Sequence, residues 1–320
     1  MHAIRIEGTG AEPRLARDIA PPRPGTGEVL LRVRACGLNF ADLLMISGKY
    51  QEPVTPPFTP GMEVAGEVLE IGEGVAGLRP GMHVAAFPGR DGLAEQVVVP
   101  AARCVALPEG MDFITGAAFQ VAYGTSHLAL THAARLTAGE TLLVLGAAGG
   151  VGLTAVEIGR QIGARVIAVA RGAEKLAVAE AAGAHHVIDS ESIEIRAAVK
   201  ALGGADVVYD PVGGDLFTAA LRATRPGGRL LAIGFASGEV PQVPANLLLV
   251  KNLSVIGFYW GGYLVFAPDR LTQSLAEVLG WLAAGRLKPH VSHVLPLVRA
   301  AEGLELLRSR RSTGKVVITI

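Results

Sequence analysis

Cysteine is almost missing from this chain: Cys36 and Cys104 are the only two among 320 residues. Two thiols cannot build a disulfide scaffold or a Cys-rich zinc lobe. Aromatic residues are also scarce, at 5% against 41 glycines, which favours tight strand–helix turns over an aromatic-rich β-sandwich. Neither sign of charge is in excess, with 29 basic and 29 acidic side chains and a formal net charge of zero. A nucleic-acid binder needs clustered positive charge to displace counterions, so none is expected here. No apolar run reaches the roughly 18 residues of a membrane span. The most apolar stretch, 141–158, is interrupted by glycines and by Glu157. The opening residues, MHAIRIEGTG, lack a charged segment followed by an apolar one, so no signal peptide is expected and the cytoplasm is the expected location.

What the chain does have is a change of pattern. Half its residues are apolar and 18% charged, the balance of a globular protein. Up to about residue 120, short apolar runs at 28–35, 63–71, 83–87 and 95–99 lie between clusters of Pro and Gly. That spacing predicts a compact β-barrel or sandwich. From about 125 to 260, continuous apolar runs at 141–145, 165–170, 206–209, 229–233 and 253–257 alternate with helix-length stretches such as 151–162 and 173–182. Strands apolar on both faces and joined through helices make a parallel, doubly wound sheet. After a loop at 261–268, a helix is predicted over 268–284. A last strand over 315–320 is expected to return to the first domain.

The strongest local signal is LLVLGAAGGVG at 142–152. A strand runs into glycines and then a helix, the arrangement that lets a backbone approach a pyrophosphate and aims free amides at it. Ala147 stands at the first glycine position, Gly149 and Gly152 fill the second and third, and Ala148, Gly150 and Val151 complete the turn. The next strand ends at Ala170 and is followed by Arg171, where an NAD site carries Asp or Glu for the ribose 2′-hydroxyl. Arg171 and Lys175 would instead pair with a 2′-phosphate, so NADPH is the expected cofactor. A solvated pair of cations, with Glu174 between them, is the competing reading.

These features, with VRACGLNFAD at 33–42, GKY at 48–50, PGMEVAGEVLEI at 60–71, Gly124-Thr125, DPVGG at 210–214, IGFAS at 233–237 and STGKVV at 312–317, resemble the medium-chain dehydrogenase/reductase superfamily. More narrowly, they resemble its zinc-independent NADPH:quinone oxidoreductase (zeta-crystallin-like) branch, over essentially the whole chain. The resemblance implies an α/β protein: a GroES-like β-barrel catalytic domain, residues 1–122 and 263–320, and a Rossmann doubly wound parallel-sheet domain, residues 123–262. It places the nicotinamide in the cleft between them and implies a homodimer, with the segment 251–260 supplying an exposed edge strand.

In the zinc alcohol dehydrogenases of the same superfamily, a Cys ligand and a proton-relaying Ser or Thr stand where this chain has Asn39 and Ala41. Their His ligand stands where it has Met62. An amide and a thioether are poor zinc ligands, so no metal is expected. Without a Lewis acid the plausible substrates are already electrophilic: quinones or conjugated carbonyls.

Residue by residue, the resemblance puts Asn39 at the mouth of the nicotinamide pocket, Asp42 behind its loop and Tyr50 over cofactor and substrate. These three are the catalytic candidates. A turn amide at Asn39 and a surface carboxylate at Asp42 are the bland alternatives. Thr125 matches a cofactor contact, or else caps a helix. Gly234, Phe235, Ala236 and Ser237, and Phe258, Tyr259 and Trp260, fall at the carboxyl ends of later strands, where such sheets bind ligands. Lys315 resembles a lysine near the cofactor phosphates, and Ser190 stands where some relatives place Tyr or His near the adenosine. Both cysteines are expected to be core thiols. His127 and His132, or the adjacent His185 and His186, do not share a helix face. No Tyr-x-x-x-Lys pair serves a short-chain dehydrogenase. The leading function is an NADPH-dependent quinone oxidoreductase. A 2-enal, enone or enoyl-thioester reductase is the main alternative, and a non-enzymatic NADPH-binding structural or RNA-binding protein is the third.

Overall fold

Glu28–Leu38 is an eleven-residue strand whose Val29, Leu31, Val33 and Ala35 are buried while Arg32 and Arg34 face solvent. That period of two is what a half-buried strand requires. Its length lets it pair with three neighbours: Glu63–Ile71 along most of its span, Gln96–Pro100 at its first half and Lys315–Thr319 at its last. Together with His83–Ala86, Cys104–Ala106 and Val291–Pro296 they form a seven-stranded, mainly antiparallel sheet. The closing strand thus returns to the first domain as expected. The helix Phe113–Ala117 packs on this sheet through small residues, with Ala117 and Ala118 against Ala35, Ala65 and Val317.

The structure, a computed structural model, describes residues 1–320. It divides into two units, 1–121 with 289–320, and 122–288. The first is the GroES-like unit just described.

The second is a six-stranded parallel sheet: β1 (Thr141–Leu145), β2 (Arg165–Ala170), β3 (His186–Asp189), β4 (Ala205–Asp210), β5 (Thr224–Ala232) and β6 (Ser254–Gly257). The spatial order is β3-β2-β1-β4-β5-β6, that of a Rossmann sheet with its switch point between β1 and β4. All five residues of β1 are buried, as a central strand covered on both faces must be. The helices α1 (Gly150–Ile162), α2 (Gly172–Ala181), α3 (Ile195–Ala201), α4 (Gly214–Ala223), α5 (Ala245–Lys251) and α6 (Pro268–Ala283) cross between or follow the strands. Leu143, Ile167, Val199, Phe217 and Leu230 belong to one continuous core. At roughly 1.5–3 kcal/mol per large apolar side chain, such burial is the main stabilising contribution.

Two expectations need correction. The domain boundary lies at 288 and not at 262, because α6 buries Leu271, Ser274, Leu275 and Val278 within the Rossmann unit. His127 Nδ1 meets Ser274 Oγ at 2.8 Å, and the His127 and Trp281 rings stack edge-on. The segment 261–268 is also not a plain loop. A 3-10 turn at Trp260–Gly262 leads into a short helix, Tyr263–Phe266, whose aromatic rings contact one another. No helix is long and apolar enough to cross a membrane.

Candidate functional site

The glycine turn sits at the carboxyl end of β1, beside the Asp210–Gly213 loop at the carboxyl end of β4. Gly146 has φ +58°, and a Cβ there would come within 2.9 Å of the Val212 side chain. Gly152 lies in the first turn of α1, where a Cβ would lie 2.2 Å from the Gly146 carbonyl oxygen. Only glycine allows that close approach. The first intrahelical donor is Leu153, bonded to Gly149 at 2.8 Å, so the amides of Gly150, Val151 and Gly152 precede the helical ladder. They form an electropositive backbone cradle at the start of a thirteen-residue helix, which fits a pyrophosphate. Ala147 and Ala148 are buried within the turn, with the Ala147 amide on Val169 O.

Arg171 follows β2 as the N-cap residue of α2. Its side chain is 46% exposed and lies 3.9 Å from Glu191, a long contact that leaves the guanidinium accessible. Lys175 is on the first turns of the same helix. Ser190 follows β3, and its amide bonds Ala170 O at 3.0 Å, which places it next to Arg171. Arg171 and Ser190 thus lie side by side at the carboxyl ends of β2 and β3.

The loop carrying Gly234, Phe235, Ala236 and Ser237 leaves β5 and is fastened to the β4 loop by the Ala236 amide on Pro211 O and the Ser237 amide on Val212 O. Asp210 underpins that loop, accepting from Val212 and Gly213 amides at 2.7 and 2.9 Å. Burial pushes its carboxyl above the usual range, against the pull of those amides. Phe235 is exposed, whereas Phe258 and Trp260 are buried in the unit and Tyr259 is half-buried. Thr125 lies within the helix Gln120–Leu128 and is buried, so it is not an N-cap. At the next residue, Ser126 Oγ bonds Val151 O, Thr154 Oγ1 and the buried Tyr209 hydroxyl. This polar network, missed in the sequence, braces the glycine turn from behind.

In the GroES-like unit the candidates form a buried polar knot. Asn39 precedes the helix Phe40–Ile46. Its Nδ2 donates to Glu63 Oε1 at 2.9 Å and, at 3.3 Å, to Gly37 O. Its Oδ1 accepts from Lys315 Nζ at 2.8 Å. Lys315 Nζ also donates to Leu38 O at 2.9 Å and Glu63 Oε1 at 2.5 Å. Glu63 Oε2 accepts from the Val121 amide. Asp42 accepts from the amides of Asn39 and Gly61, at 2.8 and 2.9 Å.

Three placements follow from this knot. Lys315 has three donors and three protein acceptors, so the expected phosphate contact gives way to a lock on the Asn39 turn. Asp42 is fully buried, so it is not the surface carboxylate of the bland alternative, and its bonds to the Asn39 and Gly61 amides suit the loop-orienting place that the resemblance gave it. It is a positioning residue, and burial raises its carboxyl to about 6 despite the two amides. Glu63, for which no role was expected, is the hub of the knot. Of the three carboxylates in that strand, EVAGEVLEI, only Glu63 is buried, with Glu67 half-buried and Glu70 exposed, and the sequence alone does not single it out. Tyr50 is half-buried in the turn after Phe40–Ile46. Cys36 is buried and Cys104 is half-buried, with burial raising both thiols, Cys104 to about 12.

Residues 25–109 match the alcohol dehydrogenase GroES-like domain and residues 150–282 the zinc-binding dehydrogenase domain. The chain is 41% identical to a quinone oxidoreductase-like protein 2 homolog of Nematostella vectensis over 300 residues, 92% of this chain and 82% of that one. It belongs to the medium-chain dehydrogenase/reductase family. Within it, the chain groups with the quinone oxidoreductases. The enzyme of Thermus thermophilus, also solved with NADPH, is 36% identical with a TM-score of 0.88 and full coverage of both chains. The Escherichia coli quinone oxidoreductase, solved with NADPH, is 27% identical with a TM-score of 0.93, again over both chains in full. The protein is thus an oxidoreductase of this family. The zinc implied by the second domain's description does not fit the residues here. The Asn39 amide is committed at both ends to Lys315, Glu63 and Gly37, and Met62 is a buried thioether.

Proposed function

We propose that this chain is an NADPH-dependent quinone oxidoreductase working without a catalytic metal. The observation that carries this reading is the Asn39 turn, whose amide is tied into the buried Lys315–Glu63 pair where zinc dehydrogenases place a metal ligand. NADPH, held on the Gly150–Gly152 amides with its 2′-phosphate toward Arg171 and Lys175, would supply the hydride. The chain's own residues bind and orient: the glycine cradle takes the pyrophosphate, Arg171 reads the ribose end, and the knot keeps the Asn39 turn in one conformation. Tyr50, Thr125, the loop 234–237 and residues 258–260 are the further cofactor and substrate contacts in this reading. Lacking a Lewis acid, the site suits acceptors whose carbonyl is already activated by conjugation, and a quinone gains aromaticity on reduction.

The reading includes a homodimer. β6 is the last strand of its sheet and bonds only β5 on one side, and the nearby Leu249, Val250, Val265 and Phe266 are exposed. Light scattering that finds a monomer at micromolar concentration contradicts it.

The test of the activity is kcat/KM with NADPH for 9,10-phenanthrenequinone and 1,4-benzoquinone against enals and crotonyl thioesters. Higher efficiency with the quinones supports the proposal, and higher efficiency with the enals or thioesters replaces it by an enone or enoyl reductase.

A further inference from the structure

The Rossmann unit has a concavity at the amino-terminal ends of β4 and β5, on the sheet edge opposite the glycine turn. Its volume is about 750 Å³, within the size range of small-molecule sites. Arg196, Lys200, Arg222, Arg225 and Lys251 line it, and no carboxylate does. In a chain with no net charge, this is a local excess of one sign, and none of its lining residues is among the cofactor or substrate contacts named above.

The five cations are not equivalent. Arg225 is engaged, with Nη1 on Asp206 and Nε on Gly203 O, each at 2.6 Å. Lys251 closes the end of α4, its ammonium donating to the carbonyls of Leu221, Arg222 and Thr224. Arg196, Lys200 and Arg222 are exposed, and their side chains have no hydrogen-bond or ion-pair partner. Arg196 and Lys200 are four residues apart on α3 and so share one helix face. The carboxylates around the cavity are already used. Asp206 also takes the Thr141 amide, and Glu194 caps α3 through the Arg196 and Ala197 amides. Burial and the neighbouring Lys200 and Arg196 hold Lys251 below its ordinary range, the mark of like charges gathered without a counter-charge.

We propose that this cavity binds a small ligand through a di- or triphosphate group, at a site separate from the cofactor turn. Such a ligand would supply the missing counter-charge. The planar guanidinium groups of Arg196 and Arg222 match phosphate oxygens in pairs. Pro226, Pro244 and Leu247, also in the lining, offer apolar surface to an organic portion. The phosphate group could therefore come from a nucleotide or from an inorganic polyphosphate.

Calorimetric titration of the protein saturated with NADPH, using inorganic tripolyphosphate in one arm and ATP in the other, tests this. One equivalent of at least one probe is expected to bind, more weakly as salt rises. The combined variant Arg196→Gln, Lys200→Gln, Arg222→Gln should weaken binding by roughly 10–1000-fold and leave the KM for NADPH unchanged. Tighter binding of ATP than of tripolyphosphate identifies a nucleotide, and equal binding an inorganic anion. The single variant Lys200→Glu, at an exposed and unpartnered position, should weaken binding at least about tenfold and guards against misfolding of the combined one. No binding of either probe, binding that survives both variants, or binding abolished by NADPH overturns the proposal. None of these outcomes bears on the reductase reading.

Discussion

Lys315 Nζ lies 2.5 Å from Glu63 Oε1, and the two side chains are 4% and 1% exposed. A pair this deeply buried is held less by its Coulomb attraction than by the cost of leaving either charge alone. Because Asn39 hydrogen-bonds both partners, the pair fixes the turn on which the candidate active site rests. Lys315→Met should therefore destabilise the GroES-like unit by about 3–5 kcal/mol, the cost typical of breaking a buried pair. Adding Glu63→Gln should recover part of that loss. Urea unfolding of the two variants measures it, and a cost below about 1 kcal/mol for Lys315→Met contradicts the assignment.

Cofactor choice should rest on Arg171. One charge-assisted contact to phosphate contributes on the order of 1.5–3 kcal/mol, which is roughly a 10–100-fold preference for NADPH over NADH. Arg171→Asp should lower NADPH efficiency steeply while NADH efficiency holds or rises. Lys175→Ala should have the smaller effect, since lysine offers a flexible point charge instead of a planar fork. Steady-state kinetics with both cofactors decide it. An unchanged ratio in Arg171→Asp removes the 2′-phosphate role.

Asp42 should leave a signature in stability against pH. It titrates near 3.8 when exposed and near about 6 in the fold. Between those values the folded chain keeps a proton that the unfolded chain has released. Its contribution is therefore fully present below about pH 4, falls as pH rises to about 6, and is gone above that. The unfolding free energy of wild type minus that of Asp42→Asn should fall by roughly 3 kcal/mol from pH 4 to pH 7, because the amide does not titrate. Parallel curves for the two proteins would contradict it.

The sheet of the Rossmann unit was readable because its strands are continuous apolar runs and its turns are glycines. LLVLGAAGGVG gave both the strand β1 and the helix α1. Arg171 could be nominated because the residue after β2 has a defined task in such sites. The knot was not, since Glu63 and Lys315 are 252 residues apart and only strand pairing brings them together. A sequence motif put Lys315 at the phosphates, whereas packing in the GroES-like unit surrounds its ammonium with three acceptors. The α6 boundary was missed for a similar reason. Its amphipathic pattern announces a helix, but which unit it covers depends on partners such as His127, about 150 residues away.

The most direct test of the central claim is NADPH oxidation by 9,10-phenanthrenequinone, followed on protein dialysed against a strong chelator and assayed for metal in the same sample. The account predicts undiminished turnover with no stoichiometric zinc. Turnover that disappears with the metal and returns on adding zinc would contradict it, as would a protein that does not oxidise NADPH at all.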